Sequence, residues 1–479
     1  MTLRERLVRP DALALAAVMV FAVLRFAALT RYPLWTDETW TLEAGQASLR
    51  TALRIHADDQ THPPLFYVAL WFWRRIGPDS IAWVRMLPCL AGIATALPML
   101  AIARAARMTA RATALAMLLG AGRGMLVAYS AEIRNYAFLA LGGTASLALW
   151  IRARDDEGDA RLARLTIVNI LLVHVHYFGV LIVAAEWCDA LLGARRRLRA
   201  MTASAAITAV SLAPWLLETA RRSRVTGIRF EAVDWIPTPA PGDVLGVARE
   251  ILGASPWIAF DLAAIVLLGG AIAAWTLKAR GTPVAPAIRL LLLAGLIPIA
   301  FAYLFSVIGP RPIWVERYMI AAAPPLLLLA AGGLDAVVPR RFTAVAVAIA
   351  LLPAAFTALS LWRGTAKPRY DTIVSAIASA ETGAEARVFS LSGVAGFPIV
   401  YAVKHAPNLG RPVRVRGATT SELMNEPEGW AVWSERHPPR GVPPSAALLK
   451  NGFVVGPTLG FGFDRDSMVA TRFSRPVPR

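Results

Sequence analysis

Long apolar runs, separated by short polar segments, fill the first three quarters of the chain. About 20 apolar residues suffice for a helix to cross a bilayer, so these runs predict about eleven membrane-spanning helices. The runs lie at about residues 11–30, 81–103, 110–128, 136–151, 163–176, 177–193, 200–217, 257–276, 287–308, 317–335 and 342–362. The pattern indicates an α-helical polytopic membrane protein.

The distribution of arginine predicts an orientation for these helices. Arg4, Arg6 and Arg9 precede the first run, which has no small-residue cleavage site after it, so we interpret it as a retained helix with its N-terminus in the cytoplasm. Alternating sides from there places most basic connections on the cytoplasmic side, at residues 104–111, 152–164, 195–199, 278–280 and 340–341. Arg221, Arg222 and Arg224 are exceptions, and the C-terminal tail is expected on the outer side.

Three segments on the expected outer side are too long to be turns. Residues 31–80 have the mixed polarity of amphipathic helices on a bilayer surface, and residues 218–256 are rich in Arg, Pro and Gly, which favours a mobile loop. From residue 363, short apolar stretches alternate with turn signals and indicate a small α/β domain. We therefore predict a transmembrane domain at 1–362, including the outer loop 31–80, and an extracytoplasmic domain at 363–479.

Composition excludes several classes of protein. A hydrophobic share of 56%, a charged share of 17% and a mean hydropathy of +0.52 are typical neither of soluble domains nor of disorder. The net charge of +18 does not indicate a nucleic-acid partner, because most arginines flank apolar runs, where they contact anionic membrane lipids. Two cysteines in separate runs exclude a disulfide framework.

An acidic pair follows the first run. Asp37 and Glu38 lie in PLWTDETW, between Trp35 and Trp40, which are expected at the level of the lipid head groups. A carboxylate that is partly shielded from water there is suited to accept a proton from a hydroxyl. The alternative is that both acids simply stabilise the first turn of an amphipathic helix.

Basic and aromatic residues occupy the starts of two further helices. His62 precedes Pro63 and Pro64 in HPPLFY, where free helix N–H groups suit a phosphate, although the motif also fits an ordinary helix start. Arg134 and Tyr136 open the run at 136–151, and the guanidinium suits a phosphate or a carboxylate. A local ion pair of Arg134 with a neighbouring glutamate is the alternative.

Two later helix ends carry similar residues. His174, His176 and Tyr177 lie in HVHYFG; histidines two residues apart point to different faces of a helix, so we expect a polar contact to substrate and not a metal pair. Arg317 and Tyr318 open the run at 317–335, where an arginine is also a common interfacial anchor. With the predicted topology, all these residues face the outer side.

Other ionisable residues are expected to have no chemical role. Near the inner face, Glu186, Asp189 and Asp335 are interpreted as solvated helix ends. Asp58 and Asp59 lie in a polar segment and are expected to be exposed. Arg25 and Arg123 lie in the outer thirds of apolar runs and are expected to extend toward the head groups.

The order of the motifs TDET, HPPL, RNYAF, HYFG and ERY resembles that of membrane glycosyltransferases of the GT-C fold. It is most similar to the family 39 group, which includes protein O-mannosyltransferases and the lipid A aminoarabinose transferase. The resemblance covers about residues 1–335 and is carried by the order of short motifs more than by any single motif.

This resemblance implies a hexosyl- or pentosyltransferase of the bacterial inner membrane. It would move the sugar, with inversion, from a polyprenyl-phosphate carrier to an envelope acceptor (a lipid, glycan or protein) at the outer face. Asp37 would act as the base or orient the acceptor, and Glu38 would assist. His62, in a position where some family members have Lys, would bind the donor phosphate with Arg134 and Arg317. The substrate-binding candidates are Tyr136, His174, His176, Tyr177 and Tyr318. No metal ligand is identified, and a divalent metal cofactor is left open.

Three other functions are compatible with a polytopic membrane protein of this kind. A transporter or flippase of a lipid-linked sugar would show inverted repeats and ionisable residues at the bilayer midplane, whereas these acids concentrate at one face, which favours an enzyme. A polymerase or ligase would centre on a large late outer loop. A receptor that binds through its tail is the third.

Overall fold

The structure is a computed structural model, and it describes residues 12–31, 33–155, 158–227, 236–252, 257–363, 369–391, 393–406, 408–435, 444–462 and 467–476. The predicted cytoplasmic arginines Arg4, Arg6 and Arg9 lie outside these residues. The chain divides into two compact units. The membrane unit comprises Met1–Leu29 and Ala44–Leu359, and the tail unit comprises Thr30–Glu43 and Ser360–Arg479.

Up to residue 363, the described part of the chain consists of helices and the turns between them. They are α1 (Ala12–Ala28), α2 (Thr36–Ala44), α3 (Leu49–Asp59), α4 (Leu65–Trp73), α5 (Ile81–Ala94), α6 (Ala96–Ala105), α7 (Ala110–Gly122), α8 (Gly124–Ala128), α9 (Tyr136–Ala153), α10 (Asp159–Val175), α11 (Gly179–Gly193), α12 (Leu198–Ser211), α13 (Ala213–Thr226), α14 (Asp243–Leu252), α15 (Ile258–Lys278), α16 (Ala285–Ile308), α17 (Ala323–Val337) and α18 (Thr343–Arg363). Short 3-10 helices lie at Arg195–Arg197, Glu316–Ala322 and Arg340–Phe342. The predicted helical membrane architecture is confirmed.

Six helical segments of the described chain are long and apolar enough to cross a membrane. They are Ile81–Ala105, Tyr136–Ala153, Arg195–Thr226, Ile258–Lys278, Ala285–Ile308 and Glu316–Val337. The apolar helices Ala14–Ala28 and Ala110–Gly122 are shorter. All eleven predicted runs are helical over most of their length, but that all eleven cross the membrane stays a prediction.

Close backbone contact joins α15 and α17. A Cβ atom added to Gly333 would lie 2.4 Å from the backbone of Ala271, and one added to Gly332 would lie 2.3 Å from the ring of Trp275. Membrane helices associate largely by such packing, because lipid tails supply no hydrophobic force between them. The adjacent glycines therefore allow these helices to approach closely.

The prediction that Glu186 and Asp189 are solvated is wrong. Both carboxylates are fully buried. Glu186 accepts hydrogen bonds from Ser146 and Asn169, and so joins α11 to α9 and α10. Asp189 pairs with Arg154 and Arg289 and accepts a hydrogen bond from Trp150. Burial of these charges is sustained by partners on other helices, which hydropathy alone does not reveal.

Two further expectations about charged residues are also wrong. Arg25 does not extend toward the head groups: its guanidinium is buried, lies 3.5 Å from the centre of the Phe21 ring, and donates to the carbonyls of Phe21 and Gly120. Arg123 is likewise buried. Each sits within packed helices, so the arginine is held by protein groups and not by lipid.

Asp58 and Asp335 are ion-paired instead of freely solvated. Asp58 receives two hydrogen bonds from Arg222, of 2.7 and 2.6 Å, which tie α3 to α13. Asp335 pairs with Arg111 and also accepts from Thr109, which joins α17 to the start of α7.

The segment 218–256 is not a simple loop, which corrects the prediction. It begins as the continuation of α13 to Thr226, and it contains α14, whose Val247, Ile251 and Leu252 are buried. Residues 228–235 and 253–256 lie outside the described part of the chain. Apolar residues at positions 247 and 251 form one helical face, a signal that the Pro and Gly content obscured.

The tail unit contains a five-stranded mixed sheet in the order β2-β1-β3-β5-β4. The strands are β1 (Ala386–Ser390), β2 (Val413–Gly417), β3 (Glu428–Ser434), β4 (Val454–Gly462) and β5 (Ser467–Ser474), and the helices are α19 (Tyr370–Ala380), α20 (Gly393–His405), α21 (Thr420–Leu423) and α22 (Pro444–Lys450). Strand β1 is parallel to β2 and β3, whereas β5 is antiparallel to β3 and β4. Side chains alternate between two cores: Val388 and Trp430 pack on one face, and Phe389 and Ala431 on the other. The α/β prediction is confirmed.

Candidate active site

A tight turn between α3 and α4 positions His62. Helix α3 ends where Gln60 adopts a left-handed conformation, with φ of 60°, and donates its backbone N–H to His56. Pro63 and Pro64 follow and cannot continue a helix from α3, so α4 begins only at Leu65. His62 is 2% exposed as a result of this arrangement.

The start of α9 and the end of α10 meet beside this turn. Arg134 precedes α9, and Tyr136 is its first residue. Between them, Asn135 donates from its side-chain amide to the carbonyl of Val175 at 2.6 Å, so the start of α9 is fixed to the end of α10. His176 follows Val175 in an extended conformation that ends α10.

A 3-10 helix before α17 supplies the last two residues. Arg317 and Tyr318 lie in the segment Glu316–Ala322, which continues directly into α17. Both side chains are half-buried. Four separate parts of the membrane unit therefore contribute to one site.

Four rings form what we call the basic aromatic cluster, together with Arg134 and Arg317. The centroid of the His62 ring lies 5.1 Å from that of His176, 6.0 Å from that of Tyr318 and 6.2 Å from that of Tyr136. The His176 and Tyr318 centroids are 5.0 Å apart. These distances bring together six of the residues that the sequence predicted as substrate or phosphate ligands.

The two guanidinium groups contact the rings directly. Arg134 Nη2 lies 3.3 Å from His62 Nδ1, and Arg317 Nε donates to the hydroxyl of Tyr136 at 2.9 Å. His62 Nδ1 also lies 2.8 Å from the hydroxyl oxygen of Thr61, so both a guanidinium and a hydroxyl face this nitrogen. The tautomer of His176 is defined: its Nδ1 accepts from the backbone N–H of Phe178 at 3.1 Å, so its ring proton lies on Nε2.

Both imidazoles leave one ring nitrogen unused. The Nε2 atoms of His62 and His176 are buried and have no hydrogen-bond partner within the described structure. An unsatisfied buried polar atom costs about 1–3 kcal/mol, and such groups commonly mark a place where a ligand binds. The N–H of His176 and the two guanidinium groups can hold one anion.

The histidines near the turn are neutral. Burial, with the nearby charge of Arg134, lowers the pKa of His62 well below its ordinary value. The same causes lower the pKa of His56 to about 3. The positive charge of the cluster therefore comes from Arg134 and Arg317.

The acidic pair lies in the tail unit. Asp37 and Glu38 occupy the first turn of α2, where carboxylates stabilise the helix dipole, as the structural alternative predicted. Asp37 is half-buried and Glu38 is buried. The hydroxyl of Thr41 donates to the backbone carbonyl of Asp37. The roles of both acids stay predictions.

Two predicted substrate ligands make contacts outside the cluster. His174 lies within 2.9 Å of the carbonyl of Ile170 in its own helix. The Tyr177 hydroxyl accepts from Trp215 Nε1 at 3.1 Å. The described ring contacts of the cluster include neither residue.

Sequence reasoning did not single out several residues around the cluster. His56 stacks on Tyr67 with centroids 3.4 Å apart, and Tyr67 contacts His62 at 6.5 Å. Tyr129 lies 5.0 Å from Tyr136, and Phe178 lies 5.4 Å from Tyr318. Tyr67 and Phe178 belong to the strings HPPLFY and HVHYFG, and Tyr129 lies five residues before Arg134, so the segments around the motifs held the signal. No group of three or more His, Cys, Asp or Glu suited to a metal occurs among the described residues.

Comparison with solved structures identifies the architecture. The crystal structure of ArnT from Cupriavidus metallidurans bound to undecaprenyl phosphate aligns with 95% of this chain and 97% of its own, at 15% identity and a TM-score of 0.52. Its apo state gives a TM-score of 0.53 at the same coverage and identity. The chain has the GT-C fold.

A second solved protein shares this GT-C architecture. The oligosaccharyltransferase AglB from Archaeoglobus fulgidus, in complex with an inhibitory peptide and a dolichol-phosphate, aligns with 86% of this chain and 65% of its own, at 12% identity and a TM-score of 0.51. No protein-family model matches the sequence, and the search of curated proteins gives no match. At these identities the likeness establishes the fold alone.

Proposed function

We propose that the protein is a glycosyltransferase that moves a hexose or pentose from a polyprenyl-phosphate carrier to an envelope acceptor. The reaction takes place at the outer face of the bacterial inner membrane and inverts the anomeric carbon. The basic aromatic cluster binds the phosphate of the donor. The proposal is supported by the fold, since ArnT of this fold has been solved with undecaprenyl phosphate.

The observation that carries the proposal is that His62 and His176, beside Arg134 and Arg317, each have a buried Nε2 atom without a partner among the described residues. A sugar phosphodiester has one negative charge and several acceptor oxygens, which match the two guanidinium groups and the N–H of His176. As the bond to the sugar breaks, charge grows on the leaving phosphate. Preorganised donors in a partly dehydrated site stabilise that charge most.

We assign to Asp37 the activation of the acceptor hydroxyl. Its carboxylate takes the proton of the acceptor hydroxyl, the hydroxyl oxygen attacks the anomeric carbon, and the polyprenyl phosphate leaves with the bonding electrons. Glu38 assists Asp37. Tyr136, His176 and Tyr318 line the sugar, since aromatic faces and hydroxyls suit a carbohydrate. His174 and Tyr177 remain candidates for acceptor contacts.

The test separates donor binding from transfer. Purified protein in lipid nanodiscs is titrated with undecaprenyl phosphate, and transfer is measured with lipid-phosphate sugars in membranes. Asp37→Asn is expected to abolish transfer and keep donor affinity. Arg134→Gln is expected to weaken donor binding about tenfold or more, because it removes a charge-assisted hydrogen bond.

Two variants serve as controls. Asp79→Asn removes an acid whose side chain is 92% exposed and is expected to leave both activities unchanged. Arg134→Lys keeps the charge and should recover part of the binding that Arg134→Gln loses. Full transfer by Asp37→Asn would remove Asp37 from the mechanism, and unchanged donor affinity in Arg134→Gln would remove the cluster from donor binding.

A further inference from the structure

A second basic site lies away from the cluster, between α3 and α13. A cleft of about 290 Å³ is lined by Arg50, Leu53, Arg54, Ala57, Trp215, Glu218 and Arg221. The Asp58–Arg222 ion pair joins the two helices beside it. The proposed transfer reaction assigns no role to this cleft.

The arginines of the cleft are unequally neutralised. Arg221 donates two hydrogen bonds of 2.7 Å to the two oxygens of Glu218, so this glutamate is occupied by a residue of its own helix. Arg50 and Arg54 are one helical turn apart on α3, and the charge of Glu218 also reaches Arg54. Three arginines of the cleft therefore share this single acid, whose two oxygens are hydrogen-bonded to Arg221. Like charges at this spacing repel each other, and an anion between them would remove that cost.

The walls of the cleft indicate what carries the anion. Leu53, Ala57 and the ring of Trp215 provide apolar surface beside the guanidinium groups. Helix α13 ends the apolar segment Arg195–Thr226, and its last turns carry Glu218, Arg221, Arg222 and Arg224. Charged residues at the end of an apolar membrane segment extend to the level of the head groups, where the lipid phosphates lie.

We propose that this cleft binds the phosphate group of a membrane lipid, with Arg50 and Arg54 as its ligands and Leu53 and Trp215 against the lipid's glycerol and upper acyl chain. Free phosphate would gain nothing from the apolar wall. The inference does not rest on the proposed transfer reaction, because lipid binding requires no donor or acceptor.

The test uses full-length protein in detergent and native mass spectrometry. Dioctanoyl phosphatidic acid is the probe; dioctanoylglycerol lacks the phosphate, and glycerol phosphate lacks the chains. Wild-type protein is expected to bind the phosphatidic acid more tightly than it binds dioctanoylglycerol or glycerol phosphate. Arg54→Gln is expected to weaken binding about tenfold, and Arg50→Gln with Arg54→Gln to weaken it further.

Arg224→Gln is the matched control, because Arg224 is an exposed arginine of α13 that does not line the cleft. It should bind the lipid as wild type does. Equal losses in Arg224→Gln and Arg54→Gln would show a diffuse charge effect and overturn the site. Unchanged binding by the double variant would also overturn it, and equal binding of glycerol phosphate would overturn the assignment to a lipid. The Asp37→Asn variant should bind the phosphatidic acid as wild type does, because Asp37 does not line the cleft. Failure of the transfer proposal can therefore be told apart from failure of the lipid-binding proposal.

Discussion

Within the basic aromatic cluster, His176 has one nitrogen occupied by a protein donor and the other left as a buried N–H. Its Nδ1 accepts from the backbone N–H of Phe178, and its Nε2 has no partner among the described residues. The occupied nitrogen fixes the tautomer, so the free donor is present before any ligand arrives. A preorganised neutral donor loses little on binding an anion, whereas a charged imidazole beside two arginines would be electrostatically unfavourable.

Burial of neutral histidine has a consequence for stability. The unfolded chain binds a proton on His56 near pH 6.5, but the folded protein does so only near its pKa of about 3. Acidification from pH 7 therefore favours the unfolded state, by about 2 kcal/mol at pH 5. His56→Gln is expected to flatten the dependence of thermal stability on pH between 7 and 5. Parallel profiles for the variant and the wild type would contradict this assignment.

The predicted site residues came from positions at helix ends, where polar side chains in an apolar sequence are conspicuous. That reasoning singled out His62, Arg134 and Arg317, which lie together in the structure, but it placed Glu186 and Asp189 in water. The partners that hold those two acids inside, such as Asn169 and Arg289, are distant in sequence. Pairing of that kind is a property of the packed helices and has no local signal.

At the scale of elements, helix positions followed from hydropathy, whereas their contacts did not. The runs at 257–276 and 317–335 predicted α15 and the segment that contains α17 within a few residues. That these two helices pack with their backbones in close contact became evident only from the structure, since Gly332 and Gly333 are two glycines among 34. Similarly, α14 was missed because Pro and Gly around it favoured a loop.

The contact of α15 with α17 yields a paired prediction. Gly333→Ala places a Cβ atom 2.4 Å from the backbone of Ala271, which cannot move aside as a side chain would, so we expect a loss of roughly 1–3 kcal/mol. Gly269→Ala, in α15 itself, meets nothing within 4 Å and should be neutral or stabilising through helix propensity. Thermal unfolding in detergent measures both, and equal effects of the two changes would contradict the packing.

At the scale of the whole molecule, the change of composition near residue 363 predicted a separate α/β domain, and the tail unit begins at Ser360. The grouping of Thr30–Glu43 with the tail was not predicted. Within that unit Glu43 pairs with Lys404, more than 350 residues away, at 3.3 Å. A segment that follows the first apolar run was naturally assigned to the membrane domain, because sequence order carries no information on such long-range pairing.

The function of the whole molecule is tested best in cells. In cells without a transferase, the donor of that enzyme is not consumed. Deletion of the gene is therefore expected to remove one sugar from an envelope lipid, glycan or glycoprotein and to raise the level of a polyprenyl-phosphate sugar. Mass spectrometry of the envelope measures both changes, and Asp37→Asn should reproduce the deletion while Asp79→Asn restores the wild-type profile. A transporter of the lipid-linked sugar would instead change its distribution across the membrane and would tolerate Asp37→Asn. The transferase hypothesis predicts that Asp37→Asn loses function, whereas the transporter hypothesis predicts that it keeps function. The outcome of this single variant therefore decides between the transferase and the transporter.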